Sequence, residues 1–92
     1  MVKYSLDDLK RIQPGWFSPE NKRFFNDVSY RVFHDKEGNS YLVRSTYAWT
    51  DMFGQPKKLR WRINLITTEG KIGELVDRIF DSIDAVKTWL KD

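Results

Sequence analysis

Cysteine is absent from this 92-residue sequence, and histidine occurs once, as His34. A disulfide framework, a thiolate nucleophile and a cysteine-ligated metal are therefore excluded, and His34 has no second histidine with which to complete a metal site. No apolar run approaches the length of a membrane span, and the opening MVKYSLDDLK lacks the apolar segment of a signal peptide. These absences predict a cytoplasmic protein that uses no cofactor and contacts no membrane.

The length of the chain allows one domain, which we expect to span residues 1–92. Four Trp, four Tyr and six Phe supply large apolar side chains for a small core. The formal net charge is +3, and the densest basic run is KKLRWR at residues 57–62. The excess positive charge lies ahead of the C-terminal segment.

Two short helices are expected at the start of the chain. A Leu/Ile stripe over residues 6–12 predicts the first, with Ser5 as its cap and Gln-Pro-Gly at residues 13–15 as its end. Ser18 followed by Pro19 predicts the second. The aromatic residues around the second helix are expected to anchor it on the sheet. They are Trp16, Phe17, Phe24 and Phe25.

From residue 28 the pattern changes to the period of two that is typical of strands. We expect strands over residues 29–34, 40–50 and 57–66, with turns at residues 35–39 and 51–56. Short turns between successive strands predict an antiparallel meander of three strands.

The C-terminal part of the chain has helical periodicity. Apolar residues from Ile72 to Leu90 recur at about 100° per residue, which predicts helix throughout residues 71–91. Asp81 and Ser82 prefer caps to helix interiors, so a break there between two helices is the alternative. The expected fold is therefore α+β, a three-stranded antiparallel sheet packed against a C-terminal helix, with one or two short N-terminal helices.

Alternation along each strand separates the side chains into two faces. The more apolar set is the expected seat of the C-terminal helix. It consists of Tyr30, Val32, His34, Tyr41, Val43, Tyr47, Trp49, Leu59, Trp61, Ile63 and Leu65. The opposite face is expected to meet solvent or a partner.

The expected register brings basic residues together on that opposite face. A four-residue first turn pairs Arg31 with Arg44 and Phe33 with Leu42. A tight second turn places Arg62 near Arg44. Three arginines then form a row across the sheet with no acidic residue on the same face, and like charges directly opposite each other destabilise a sheet. Binding of an anion explains such a row better than stability does.

The first functional hypothesis is non-catalytic binding of DNA or RNA through this face. Arginine pairs bidentately with phosphates and with the guanine edge, and strands can enter a groove of the duplex. The same register places Arg60 near Thr46. The expected contact residues are Arg31, Arg44, Arg60, Arg62, Lys57 and Lys58, with Phe33 packing or stacking beside them.

The alternative is an inhibitor or adaptor that binds an acidic surface of a host or defence protein. Apolar anchors would dominate such an interface, and the candidates are Leu42, Met52 and Phe53 beside Phe33. A solvated face that serves only solubility is the remaining interpretation. Exposed edge strands leave the oligomeric state open between monomer and homodimer.

No arrangement of residues indicates catalysis, so we predict that the chain is not an enzyme. The glycine- and lysine-containing stretches at residues 54–58 and 69–73 lack the spacing of a phosphate-binding loop. His34 falls on the core side of its strand, where a packed or hydrogen-bonded histidine is expected. Asp7 and Asp8 suit the positive end of the first helix.

Two segments carry a resemblance. WFS at residues 16–18 with ENKRFF at residues 20–25, followed by YLVRSTYAWTDMFG at residues 41–54, resembles short uncharacterised proteins of bacteriophages and prophages. The resemblance implies a phage-encoded protein that acts in the host cytoplasm by binding a host or defence component.

A second resemblance concerns arrangement. Three antiparallel strands followed by FDSIDAVK at residues 80–87 are similar to the plant AP2-type DNA-binding domain and to the arm-binding domains of phage integrases. In those families an open sheet face enters the DNA groove, with the helix behind it. The resemblance implies that role for Arg31, Arg44, Arg60 and Arg62. Trp49 and Trp61 depart from the AP2 pattern, since they fall on the covered face.

Overall fold

The computed structural model describes residues 3–25, 27–47 and 59–91, which contain one antiparallel sheet and its flanking helices. The strands follow chain order across the sheet as β1 (Asp27–His34), β2 (Ser40–Tyr47), β3 (Leu59–Ile66) and β4 (Ile72–Leu75). The helices are α1 (Leu6–Ile12), a 3₁₀ helix (Pro14–Phe17), α2 (Pro19–Phe24) and α3 (Ile83–Lys91). The α+β class is confirmed, and the meander has four strands where three were expected. In the part of the chain described, no helix is long and apolar enough to cross a membrane.

The fourth strand occupies the first half of the expected long helix. β4 pairs with β3, and Phe80 then exchanges two backbone hydrogen bonds with Trp61, each 2.9 Å long. Gly73 lies in the middle of β4, and glycine is among the poorest helix formers. Helix throughout residues 71–91 is therefore a wrong prediction, because the free edge of β3 offers this segment backbone partners outside itself.

The remaining helix, α3, begins behind a capping serine. The Ser82 hydroxyl accepts a hydrogen bond from the backbone N–H of Ala85 at 3.1 Å, which satisfies one of the free donors of the first turn. The part of the predicted helix from Ile83 onward is confirmed.

The main core lies between α3 and the sheet. Val43, Ile63, Phe80 and Val86 are buried there. The ring of Trp89 packs edge-on against Phe80 at a centroid distance of 5.9 Å. For β2 and β3, the expected inner face is therefore confirmed.

The opposite face of the sheet is covered by the N-terminal segment, which we define as residues 3–25. Leu9 of α1 and Leu42 of β2 are fully buried. The backbone N–H of Ile72 donates to the Gln13 side chain at 2.7 Å, so the segment is also tied to β4. The expectation of an open sheet face is wrong, because the short N-terminal helices lie on it.

The loop between β1 and β2 explains why the predicted register of these two strands is wrong. His34 pairs with Ser40, so residues 35–39 form the loop, as the turn prediction has it, and this loop is one residue longer than the four-residue turn that the expected register assumed. The Asp35 carboxylate accepts hydrogen bonds from the backbone N–H groups of Glu37 and Asn39 at 2.9 Å each. Gly38 has a φ of 85°, a conformation that glycine adopts without a steric penalty. These features specify the longer loop.

The additional loop residue shifts the pairing of β1 with β2 by one residue. Because side chains alternate along a strand, the two faces of β1 are exchanged relative to the expected register. Arg31 pairs with Val43 and Phe33 with Tyr41, so the expected pairing of Arg31 with Arg44 and of Phe33 with Leu42 is wrong. Both Arg31 and Phe33 lie on the α3 side of the sheet.

The pairing of β2 with β3 is confirmed. Arg44 lies opposite Arg62 and Thr46 opposite Arg60, as expected. Five residues of the sequence hypotheses lie outside the described residues, namely Trp49, Met52, Phe53, Lys57 and Lys58.

Candidate functional site

Arg44, the centre of the expected basic face, lies between the sheet and the N-terminal segment and is only 5% exposed. Its Nη1 donates to Oδ1 of Asp27 at 3.0 Å, and its Nε donates to Oδ1 of Asn64 at 3.0 Å. The guanidinium also lies 5.2 Å from the ring centroid of Phe25 and 5.7 Å from that of Trp16. Arg44 is therefore a structural residue, and the expectation that this face lacks an acidic partner is wrong.

A bulge in β1 brings Asp27 to Arg44. The pairing with β2 shifts by one residue between Asp27 and Ser29, which leaves Val28 without a partner on β2. Bulges of this kind redirect a side chain, and here the Asp27 carboxylate reaches the Arg44 side of the sheet. Burial, together with a hydrogen bond from the Tyr30 hydroxyl to Asp27, raises the pKa of Tyr30 above its usual value.

The other residues expected on the basic face do not form one surface. Arg60 forms an ion pair with Asp81, just ahead of α3. Arg62 is half-buried, and its Nε has no hydrogen-bond partner among the described residues. Leu42 is fully buried. The cations predicted from alternation are thus divided between ion pairs, the interior and the other side of the sheet.

Phe33 borders a groove between the end of β1 and α3, which we call the α3–β1 groove. Its volume is about 250 Å³, and it is lined by Phe33, His34, Asp35, Lys36, Lys87, Leu90 and Lys91. His34 is exposed, not on the core side as expected. Its Nε2 lies 3.1 Å from the carbonyl oxygen of Tyr4, which confirms a hydrogen-bonded histidine.

A second exposed cluster lies at the opposite end of β1. We call it the α2 platform and define it as Lys22, Arg23, Phe24, Phe25 and Val28. Phe24 is 79% exposed, so the expectation that it anchors α2 on the sheet is wrong. Phe25 does anchor the segment, since it stacks on Trp16 at 5.6 Å with the rings 5° from parallel. Phe24 meets Phe25 edge-to-face at 5.0 Å, so an exposed ring stands on a packed aromatic pair.

The α2 platform is basic. Lys22 and Arg23 are exposed, and neither forms an ion pair within the described residues. Glu20 is the acidic residue of α2, and the nearby Asp27 carboxylate is engaged by Arg44. A shallow hollow of about 330 Å³ adjoins the cations, lined by Pro19, Lys22, Arg23, Asp27, Val28 and Tyr47. The arrangement can hold an anionic group beside an aromatic ring.

Sequence reasoning missed this site for an identifiable reason. An Arg-Phe-Phe run gives no sign of which phenylalanine faces the sheet when the helix has only six residues. The structure decides it, since Phe25 at the end of α2 turns toward Trp16.

Nowhere in residues 3–25, 27–47 and 59–91 do three potential metal-ligating side chains come together. No family model matches the chain, and no curated protein or solved structure matches it either. The resemblances to phage proteins and to AP2-type domains stay predictions.

Proposed function

We propose that this chain is a non-catalytic nucleic-acid-binding protein that uses the α2 platform instead of a sheet face. The observation that carries the proposal is the exposed ring of Phe24 beside Lys22 and Arg23, two cations with no ion pair in the described part of the chain. Aromatic rings next to basic side chains are the usual components of surfaces that bind unpaired nucleic acid.

The ring of Phe24 supplies the stacking surface. Every nucleobase has a π-face, and a base stacked on an exposed aromatic side chain contributes about 1–3 kcal/mol. The packed pair of Phe25 and Trp16 beneath Phe24 restricts the segment that carries it. Less conformational freedom is then lost on binding.

The cations supply the attraction to the backbone. Lys22 and Arg23 neutralise phosphates and release condensed counterions, so binding weakens as salt rises. Unpaired strands fit this arrangement better than a duplex does, because a base must leave its stack to lie on Phe24. The expected ligand is therefore single-stranded DNA or RNA.

Fluorescence anisotropy with labelled single-stranded DNA, single-stranded RNA and duplex DNA tests the proposal. Phe24→Ala should weaken single-strand binding about 5- to 150-fold, the equivalent of one stacked base, and leave the salt dependence unchanged. Lys22→Ala/Arg23→Ala should instead reduce the slope of log K against log salt by about 1.4, since each phosphate contact contributes about 0.7.

The matched control is Lys87→Ala/Lys91→Ala, which removes the same charge from α3. This variant should keep the salt slope of the wild type. If the α3 variant shows the reduced slope of log K against log salt and the α2 variant keeps the wild-type slope, the phosphates bind outside the α2 platform and this assignment is wrong. Absence of wild-type binding at low salt, where attraction is strongest, would exclude the nucleic-acid function.

An inhibitor or adaptor for an acidic host protein is the second candidate. The observation in its favour is that Phe24, Phe25 and Val28 are all exposed together, because clustered apolar side chains beside charges are typical of protein interfaces. In that case oligonucleotides should fail to bind at any salt. Immobilised wild type, but not Phe24→Ala, should then retain a protein from a bacterial extract.

A further inference from the structure

β1 is an outer strand of the sheet. All of its ladder pairing is with β2, and among the described residues no other backbone–backbone hydrogen bond reaches it. It is eight residues long, whereas the opposite edge, β4, has four. An edge strand presents a row of unpaired N–H and C=O groups that can accept a further strand.

The α3–β1 groove lies beside this edge and has an apolar floor. Phe33 of β1 and Leu90 of α3 line it, and both also pack on the core. Its volume of about 250 Å³ is below the roughly 300–1,000 Å³ of pockets that enclose a drug-sized ligand. The groove therefore suits one apolar side chain of a longer ligand that continues along β1.

The rim of the groove is cationic. Its exposed basic residues are Lys36, Lys87 and Lys91. None of them forms an ion pair within residues 3–25, 27–47 and 59–91. Asp35 also lines the groove, but its carboxylate already accepts hydrogen bonds from the loop and from the Tyr41 hydroxyl. Glu37 and Asp84 are the other acidic residues of this loop and helix. Among the residues that line the groove, three lysines stand against the single carboxylate of Asp35, and this excess favours an anionic ligand.

From these three observations we propose that β1 and the α3–β1 groove bind an extended acidic peptide, which adds a strand to the sheet. Peptides that bind in this way gain affinity from main-chain hydrogen bonds and specificity from alternate side chains that enter a neighbouring pocket. One apolar side chain of the peptide lies between Phe33 and Leu90. Acidic side chains two residues to either side of it share its face of the strand and meet the lysines of α3 and Lys36.

This site is separate from the α2 platform, and the two proposals stand or fail independently. The probe is a short fluorescein-labelled peptide with a central phenylalanine, glutamates two residues to either side of it and valines between them, so that the phenylalanine and the glutamates share one face. It should bind the wild type in an anisotropy titration and bind Lys87→Ala/Lys91→Ala about tenfold more weakly. Lys22→Ala/Arg23→Ala loses the same charge at the other end of β1 and should bind the peptide within about twofold of wild type.

Strand addition is distinguished from charge attraction by the peptide backbone. A peptide of the same sequence, N-methylated at alternate residues on the edge that faces β1, cannot donate the main-chain hydrogen bonds. It should lose at least tenfold in affinity, and amide hydrogen exchange of β1 should slow when the unmodified peptide binds. Equal affinity for the two peptides, or no change in β1 exchange, would overturn the proposal. The proposal would also be overturned if single-stranded DNA bound at the α3 lysines more tightly than the peptide.

Discussion

The carboxylate of Asp27 lies 3.0 Å from Nη1 of Arg44, and both side chains are almost completely withdrawn from solvent. Removing one partner of a buried pair leaves an uncompensated charge, which costs about 3–5 kcal/mol. Arg44→Met should therefore lower the free energy of unfolding in urea by about that amount. Any loss of nucleic-acid binding in this variant should follow the loss of folded protein, because Arg44 is not exposed.

The exposed pair of Arg11 and Asp8 provides the control for that prediction. Arg11→Met should cost less than about 1 kcal/mol, since solvent screens the pair. Similar losses of unfolding free energy in the two variants would contradict the burial of Arg44.

The glycine at position 70 is required by the docking of the N-terminal segment. Gly70 has a φ of 84°, and a Cβ there would lie 2.7 Å from atoms of Ile12 and Tyr4. The Tyr4 ring is fixed by a 2.7 Å hydrogen bond from its hydroxyl to the carbonyl of Thr68. We expect Gly70→Ala to destabilise the fold by about 1–3 kcal/mol beyond the cost of the backbone conformation.

Gly38→Ala separates the two contributions to that loss. Gly38 has a similar φ of 85°, but its Cβ would meet only the end of Lys3 at 3.5 Å. This variant should show the backbone cost alone, about 1–2 kcal/mol. Thermal unfolding of the two variants gives the comparison, and equal losses would contradict the clash with α1.

The β1–β2 loop should make the free energy of unfolding depend on pH. Partial burial opposes ionisation of Asp35, but hydrogen bonds from Asn39 and Tyr41 outweigh it and hold the pKa of Asp35 below its usual value. A depressed pKa stabilises the folded state above the unfolded pKa, about 3.9, and this stabilisation is lost as pH falls through the folded pKa. Asp35→Asn should therefore be less stable than wild type at pH 7, and the difference should shrink as pH falls below about 4.

Urea unfolding of wild type and Asp35→Asn at neutral pH and near pH 2 measures that difference. The pKa of Asp8 is also lowered, chiefly by hydrogen bonds with Ser5, but this group is common to both proteins and cancels. A constant difference at all pH values would show that the Asp35 side chain acts by shape and not by charge.

Adjacent phenylalanines of the α2 platform should behave differently. Phe24 is largely exposed, so Phe24→Ala should change the free energy of unfolding by no more than about 0.5 kcal/mol. Phe25→Ala removes the stack on Trp16 and the contact with Arg44, at a cost of about 1–2 kcal/mol. The urea midpoints of the two variants should separate clearly, and a large loss for Phe24→Ala would show that its ring is packed.

Much of the fold was predictable because local patterns and tertiary contacts agree. The Ser5 cap of α1 and the Pro19 start of α2 are local features, and the structure retains both. The residues of β2 and β3 that face α3 were also predicted correctly, since apolar side chains alternate with basic or amide ones along β3 and fix which face meets the core. The apolar spacing around Gly73 predicted a helix, but this segment pairs with β3 and forms a strand.

The candidate sites were less predictable, because each depends on a single-residue displacement. One extra loop residue, stabilised by Asp35, moved Arg31 and Phe33 to the α3 side. One bulged residue, Val28, turned Asp27 toward Arg44. Neither displacement alters composition or hydrophobic period, so neither has a signal that alternation can detect.

The sequence by itself determined the class of fold, the absence of cysteine chemistry, the helix over residues 83–90 and the positive charge of the chain. Only the tertiary structure decided which cations are available to a partner. Burial and ion pairing depend on residues distant in sequence, as with Asp27 and Arg44 or Arg60 and Asp81. Charge is a property of each residue, whereas exposure of that charge is a property of the packed chain.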